Sequence, residues 1–209
     1  MIVTKVEPQK NSGFRVNVFV DDKYAFSLDE TDAVHLGIKC GKVLTERDIE
    51  NCKMECNFSK AREKAFDILG RKPLSKKELC GKLCEKGYDE AVVTEVINEL
   101  EELGYINDYD YAMLFLEHCM EKMWGGKKIR YEMSRRGIDH DIIEEILAGN
   151  DEYDRLEEIK EVIISRYSSR DLTDMKTKAS VTRYFASRGF DFSLINSALS
   201  AAIEELANE

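Results

Sequence analysis

The sequence predicts a mainly α-helical protein of three tandem three-helix repeats, an elongated array of helix-turn-helix-like units behind a small β-rich N-terminal cap. Three observations carry this. First, Gly87, Gly137 and Gly189 recur 50 and 52 residues apart in matching surroundings: Lys86-Gly87-Tyr88-Asp89, Arg136-Gly137-Ile138-Asp139 and Arg188-Gly189-Phe190-Asp191. Apolar residues stand four and eight positions before each glycine (Leu83/Leu79, Met133/Ile129, Phe185/Val181) and five and six after it (Val92/Val93, Ile142/Ile143, Leu194/Ile195). A fixed period near fifty residues marks one supersecondary unit used repeatedly, and such arrays offer long surfaces that suit binding better than catalysis. Second, a chain of 209 residues with 43% hydrophobic and 34% charged residues and only two prolines permits long helices. Third, the apolar period changes near residue 58, from two before it to the helical value after it.

Within residues 1–58, Ile2–Val6 alternates apolar and polar side chains, as does Phe14-Arg15-Val16-Asn17-Val18. Asp21-Asp22-Lys23 is a turn signal and Tyr24–Ser27 resumes a strand, which predicts a hairpin. Asp29–Leu36 reads as a helix stopped by Gly37, and Lys39–Leu44 as a return segment around Gly41.

The first repeat, 59–106, opens at Ser59, read as the cap of a helix with Ala61, Ala65, Ile68 and Leu69 inward. Arg71-Lys72-Pro73 ends it. Ser75-Lys76-Lys77-Glu78 has capping-box spacing and opens a helix through Lys86. Gly87 closes that helix, and Asp89 caps a third carrying Val92, Val93, Val96, Ile97 and Leu100. The second repeat, 107–150, runs from the Asn107-Asp108 cap through Tyr111, Ala112, Phe115 and Cys119. Gly125-Gly126 breaks the chain before a middle helix over 127–136, and Asp139 caps the last helix. The third repeat, 151–209, has a helix around Ile159, Val162, Ile163 and Tyr167, a loop over 168–174, a middle helix over 176–188 and a final helix from Phe192 to Leu206. That makes nine repeat helices. Helix termination accounts for all three glycines.

No apolar run reaches the roughly 20 residues of a membrane span, and the N-terminus has no apolar signal core. The expectation is a cytoplasmic protein without membrane attachment. Six cysteines lie outside zinc-ribbon spacing and read as packing thiols, with Cys80 and Cys84 bordering a buried face. His35, His118 and His140 form no catalytic spacing, and Gly125-Gly126-Lys127-Lys128 lacks the spacing and hydroxyl of a phosphate loop. Glu101-Glu102 and Glu144-Glu145 read as solvated carboxylates. No enzyme, cofactor or metal site is expected.

Net charge is −10, but charge is segregated. Lys60–Tyr88 carries nine Lys/Arg against four acids, Lys122–Ile138 six against one, and Ile159–Arg188 seven against three. Gly87–Glu121 holds ten acids and no Lys or Arg. The candidate binding residues are Lys76, Lys77, Lys82, Lys127, Lys128, Arg130, Arg135 and Arg136, cations able to meet phosphates or an acidic protein surface. Helical spacing turns Ile129 and Met133 inward and leaves the cations of 127–136 outward, with Glu132 as the one acid at hand to pair with them. Trp124, just before this cluster, reads as core. Phe66, Tyr88, Tyr105, Tyr131 and Tyr184 are open between core and interface.

These segments resemble the RecX family of recombinase regulators. The matching residues are Ala65…Leu69-Gly70-Arg71…Ser75-Lys76-Lys77-Glu78-Leu79…Leu83…Lys86-Gly87, then Leu103-Gly104-Tyr105-Ile106-Asn107-Asp108…Tyr111-Ala112, and Gly125-Gly126-Lys127-Lys128-Ile129-Arg130…Arg135-Arg136-Gly137-Ile138. The resemblance covers roughly residues 60–206, and the N-terminal extension looks like that of Gram-positive members. Gly126 stands where the family often has proline, and Met133 where leucine is usual. The resemblance implies a monomeric, non-catalytic protein that lodges in the groove of the RecA filament on single-stranded DNA, touching DNA directly or through RecA. It further implies that filament growth and strand exchange, ATPase and co-protease activity are damped. The alternative is an autonomous nucleic-acid-binding array, against which the acidic net charge counts.

Overall fold

The computed structural model describes residues 1–9, 14–150 and 155–207; the expected start of the third repeat at residue 151, and residues 208–209, lie outside them. Strands β1 (Val3–Pro8), β2 (Arg15–Val20) and β3 (Lys23–Asp29) form an antiparallel sheet in the order β1-β2-β3. Asp21 and Asp22 join β2 to β3 with φ of 49° and 63°, the mirror-image two-residue turn whose twist suits a hairpin. Helix α1 (Glu30–His35) follows β3, and Val43 returns to pair with Ile2.

Helix α2 spans Glu46–Leu69, so the helix expected to begin at Ser59 begins earlier. Its cap is Thr45: the Thr45 hydroxyl accepts from the Asp48 N–H at 3.2 Å, and the Asp48 carboxylate accepts from the Thr45 N–H at 2.8 Å. Ser59 is buried inside the helix and its hydroxyl donates to Asp32 at 3.4 Å. The first half of α2 closes the cap, burying Ile49, Cys52 and Cys56 against Val3, Val18, Val20, Phe26 and Leu28. Buried Arg15 bridges the same parts, pairing with Asp29 at 3.1 Å and reaching the Cys56 sulfur at 3.5 Å.

The second half of α2 packs with α3 (Lys76–Glu85) and α4 (Glu90–Glu102) around Ala61, Ala65, Leu79, Leu83, Val93, Val96 and Leu100. Full burial of each leucine or valine side chain here favours the fold by about 1.5–3 kcal/mol. Asp89 caps α4 by accepting the Ala91 N–H at 2.9 Å. Cys80 lies half-buried and Cys84 exposed, so only the first borders the core. Met1–Leu74 with Glu78–Ile106 form one compact unit; Ser75–Lys77 with Asn107–Glu209 form a second.

In the second unit, α5 (Asp108–Glu121), α6 (Gly126–Arg135) and α7 (His140–Ala148) enclose Ala112, Leu116, Cys119, Ile129, Met133, Ile143 and Ile146. Burial pushes the Cys119 thiol up to about 11, consistent with a packing role. Helices α8 (Leu156–Tyr167), α9 (Met175–Ala186) and α10 (Phe192–Ala207) enclose Ile159, Ile163, Val181, Phe185, Phe190, Leu194 and Leu199. Asn107, Asp139 and Asp174 cap α5, α7 and α9 with their side chains.

Gly87, Gly137 and Gly189 have φ of +87°, +82° and +88°, the left-handed region that suits glycine after a helix. Termination alone does not account for all three. A Cβ on Gly87 would meet nothing within 4 Å, whereas one on Gly137 would lie 2.6 Å from the Lys77 Cβ, and one on Gly189 2.4 Å from the Lys128 amide nitrogen. Around Gly189 the contact is hydrogen bonded: the Gly125 N–H donates to the Arg188 carbonyl at 2.8 Å and the Lys127 N–H to the Gly189 carbonyl at 3.1 Å. The first-turn amide of α6, which has no partner inside its own helix, is thus satisfied by the end of α9.

Candidate polyanion-binding surface

The cluster that the sequence puts forward sits on α6, and the structure supplies it with more acid than helical spacing reveals. The Lys127 ammonium lies 2.7 Å from Asp191, and this contact, with the Ser193 N–H and hydroxyl, holds the Asp191 carboxyl down to about 2. Arg130 makes a two-pronged pair with Glu144 on α7, at 2.6 and 3.0 Å, which lowers the Glu144 pKa. Arg135 and Arg136 both bind Glu132, lowering its pKa as well, with Arg136 the larger cause. The Arg136 guanidinium also stacks on Phe115 at 4.1 Å, and the Lys128 ammonium sits 4.1 Å from the centre of the Trp124 ring. Trp124 itself is half-buried, edge-on to Phe115.

The expectation that Glu132 alone serves these cations is therefore overturned. Helical periodicity exposes only partners three or four residues away; Glu144 and Asp191 arrive through the turns after Gly137 and Gly189. Glu144 is likewise an ion-pair partner and not a merely solvated carboxylate.

The other three candidates fall into different units. Lys76 and Lys77 belong to the second, where the Lys77 ammonium donates to the Arg135 carbonyl at 3.2 Å near the negative end of α6, the Lys76 N–H to Asp108 at 2.8 Å, and the Ser75 hydroxyl to the Arg136 carbonyl at 2.6 Å. Lys82 belongs to the first. There it lines a groove of about 480 Å³ between α2 and α3, together with Lys64, Ile68, Arg71, Lys72, Glu85 and Lys86. Lys64 reaches Asp67 at 3.4 Å. Among the described residues, no carboxylate lies within ion-pair distance of Arg71, Lys72, Lys82 or Lys86. The groove brings together five cations and one acid over an apolar floor, Ile68.

Arg71, Lys72 and Lys86 were absent from the candidate set although the count over Lys60–Tyr88 includes them. Their signal was visible as local charge, and what sequence could not give is that α2 and α3 turn their C-terminal ends to one groove. Of the ambiguous aromatics, Phe66, Tyr105 and Tyr131 are exposed, Tyr88 is half-buried with its hydroxyl donating to the Lys60 carbonyl at 3.1 Å, and Tyr184 is half-buried.

Comparison with known proteins gives consistent results. Three family models match: the regulatory protein RecX N-terminal domain over residues 1–45, the RecX first three-helix domain over 61–100 and the RecX second three-helix domain over 107–147. The chain is 31% identical over 204 residues to the regulatory protein RecX of Caldanaerobacter subterraneus subsp. tengcongensis, covering 95% of this chain and 98% of that one. It is 34% identical over 209 residues to regulatory protein RecX of Clostridium botulinum strain Alaska E43, covering 96% of each. A crystal structure of regulatory protein RecX shares the fold with a TM-score of 0.74 at 22% identity, covering 98% of both chains. A crystal structure of RecX from Lactobacillus salivarius has a TM-score of 0.61 at 25% identity, covering 70% of this chain and 96% of that one.

Proposed function

Because this chain belongs to the RecX family of regulatory proteins, we propose that it binds the RecA recombinase in the groove of its filament on single-stranded DNA and inhibits filament growth, recombinase, ATPase and co-protease activity. In this reading it is a cytoplasmic monomer that catalyses nothing itself and works as four parts, 1–58, 59–106, 107–150 and 151–209. The observation that carries the proposal is the groove of cations without carboxylate partners, Arg71, Lys72, Lys82 and Lys86, within a chain of net charge −10. Those cations suit phosphate or an acidic protein surface. The surrounding acidity disfavours indiscriminate adsorption to nucleic acid, which fits a ligand made of protein and DNA together. Of the eight candidate residues, Lys82 and Lys128 lie within ion-pair distance of no carboxylate among the described residues and are ready to meet such a ligand, whereas Lys127, Arg130, Arg135 and Arg136 must first exchange an internal partner.

The test is the DNA-dependent ATPase rate of RecA on single-stranded DNA, titrated with this protein. A fall in rate at substoichiometric protein is expected. Full activity at equimolar protein overturns the proposal. The unpaired groove also favours a second reading, an autonomous nucleic-acid binder, which predicts tight, salt-dependent DNA binding without RecA and no selective effect on its ATPase.

A further inference from the structure

The third three-helix unit, which supplied no candidate residue to the sequence reading, holds a stack of unusual charge. The guanidinium of Arg166, in the last turn of α8, lies 4.5 Å from the centre of the Tyr184 ring on α9, and that of Arg188, just past the end of α9, lies 3.8 Å from the same ring. Arg170 adds a third guanidinium 5.7 Å from the Tyr167 ring. Among the described residues, no carboxylate comes within ion-pair distance of Arg166, Arg170 or Arg188.

Four of the nearby acids are committed elsewhere. Asp171 accepts the Thr173 N–H and hydroxyl at 2.7 and 2.6 Å, Asp174 caps α9 through the Lys176 and Thr177 N–H groups, and Glu157 and Glu205 both hold Lys160. The remaining cation on α8, Lys160, and Arg155 at its start, are thus paired, Arg155 with Glu158 at 3.1 Å. Two guanidiniums held to one ring repel each other, and an anion between their N–H edges relieves that repulsion. Attraction to the ring anchors each guanidinium, and the planar fork of arginine suits bidentate contact with a phosphate.

Register strengthens the case. Arg188 occupies the position just before its glycine, as do Lys86 and Arg136; Tyr184 occupies the position five before it, as do Lys82 and Glu132. In the middle repeat the acid Glu132 neutralises this register by binding Arg135 and Arg136. In the first and third repeats Lys82 and Tyr184 stand there in place of an acid, and the base before the glycine, Lys86 or Arg188, has no carboxylate within ion-pair distance among the described residues. A site that recurs along a chain suits a ligand whose charges also recur, as those of a phosphodiester backbone do.

We infer that Arg166, Tyr184 and Arg188, with Arg170 beside them, form a phosphate-binding site for a nucleic-acid backbone on the third unit. The inference rests on the proposed regulatory reading for its choice of polyanion. The experiment measures binding of the full chain to a fluorescein-labelled single-stranded oligothymidine by anisotropy across a salt series, without RecA. R166Q/R188Q is expected to bind at least about tenfold more weakly, with the log–log salt slope shallower by about 1.4, two phosphates' worth. R166K/R188K, which keeps charge but loses the planar fork, is expected to keep the slope and lose part of the affinity. Circular dichroism of both variants reports folding, and the lysine variant carries the test if the glutamine variant unfolds. Wild-type affinity and slope in R166Q/R188Q overturn the inference, as does an absence of binding by the wild type or equally tight binding of polyglutamate. RecA ATPase inhibition is read separately: if the wild type binds the oligonucleotide through these arginines but leaves the ATPase untouched, the regulatory reading fails and the site stands.

Discussion

Replacing each repeat glycine by alanine separates the two roles that these positions combine. At Gly87 the only penalty is backbone strain, since an added Cβ meets nothing within 4 Å. A left-handed alanine costs about 1–2 kcal/mol, and the stiffer unfolded chain returns about 0.4–1 kcal/mol of that, so G87A should lose about 1 kcal/mol. At Gly189 the same strain applies, and the new Cβ falls 2.4 Å from the Lys128 nitrogen and 3.0 Å from its Cα. These are backbone atoms in the first turn of α6 and cannot swing aside. Relieving the clash separates the strands of contact that hold Gly125 N–H on the Arg188 carbonyl and Lys127 N–H on the Gly189 carbonyl. Overpacking costs about 1–3 kcal/mol and each of the two displaced hydrogen bonds about 1 kcal/mol, which with the strain puts G189A at a loss of about 4–6 kcal/mol. G137A should fall between them, because its clash is with the Lys77 side chain, though at the Cβ, 2.6 Å away, as well as farther out. At about 2–4 °C per kcal/mol for a chain of this size, G189A should melt at least about 8 °C lower, and G87A only a few degrees lower. Far-UV circular dichroism reads all three. Emission from Trp124, next to Gly125 and the only tryptophan, reads the second unit alone. If G189A is no more destabilised than G87A, the contact between the α9 turn and the start of α6 is not a structural determinant and the argument fails.

Two further outcomes follow from the ion pairs. The Asp191 carboxyl is held at about 2 against an ordinary 3.8; its lowered folded pKa means that its stabilisation is complete above the unfolded value and fades as pH falls from about 4 toward 2. The urea midpoint of the wild type should therefore exceed that of D191N at neutral pH, and the gap should close across that acidic window; a gap independent of pH contradicts the assignment. Glu132→Gln should release Arg135, lowering the unfolding midpoint while tightening single-stranded oligonucleotide binding and steepening its salt slope by about 0.7 per phosphate gained; unchanged or weaker binding would show that Arg135 meets no ligand once this carboxylate is gone.

How far the sequence discloses such features depends on the range of the interaction. Asp89, Asn107 and Asp139 announce their helices because a cap bonds to amides two or three residues away. The hairpin is legible for the same reason, since Asp21 and Asp22 adopt the positive φ that the turn needs. Helix α2 was partly hidden because its first half buries Cys52 and Cys56, followed by the hydroxyl of Ser59, where aliphatic residues usually mark a helical stripe. Ser59 then resembled a cap, although its hydroxyl is taken by Asp32, 27 residues away.

The candidate site was less legible, and for a physical reason that also bears on function. Counting charge along a segment measures how many cations there are and not how many remain uncompensated after folding. The stretch with the best ratio, six cations to one acid over Lys122–Ile138, becomes the most internally satisfied, because Asp191 and Glu144 reach it from the turn before α10 and from α7. The stretches with poorer ratios keep their charge: the first, nine to four, retains Arg71, Lys72, Lys82 and Lys86, and the third, seven to three, retains Arg166, Arg170 and Arg188. An anion approaching Lys127, Arg130, Arg135 or Arg136 in the second repeat must displace a carboxylate before it gains a contact. One approaching the first or third removes only water, so equal numbers of basic residues give unequal affinity.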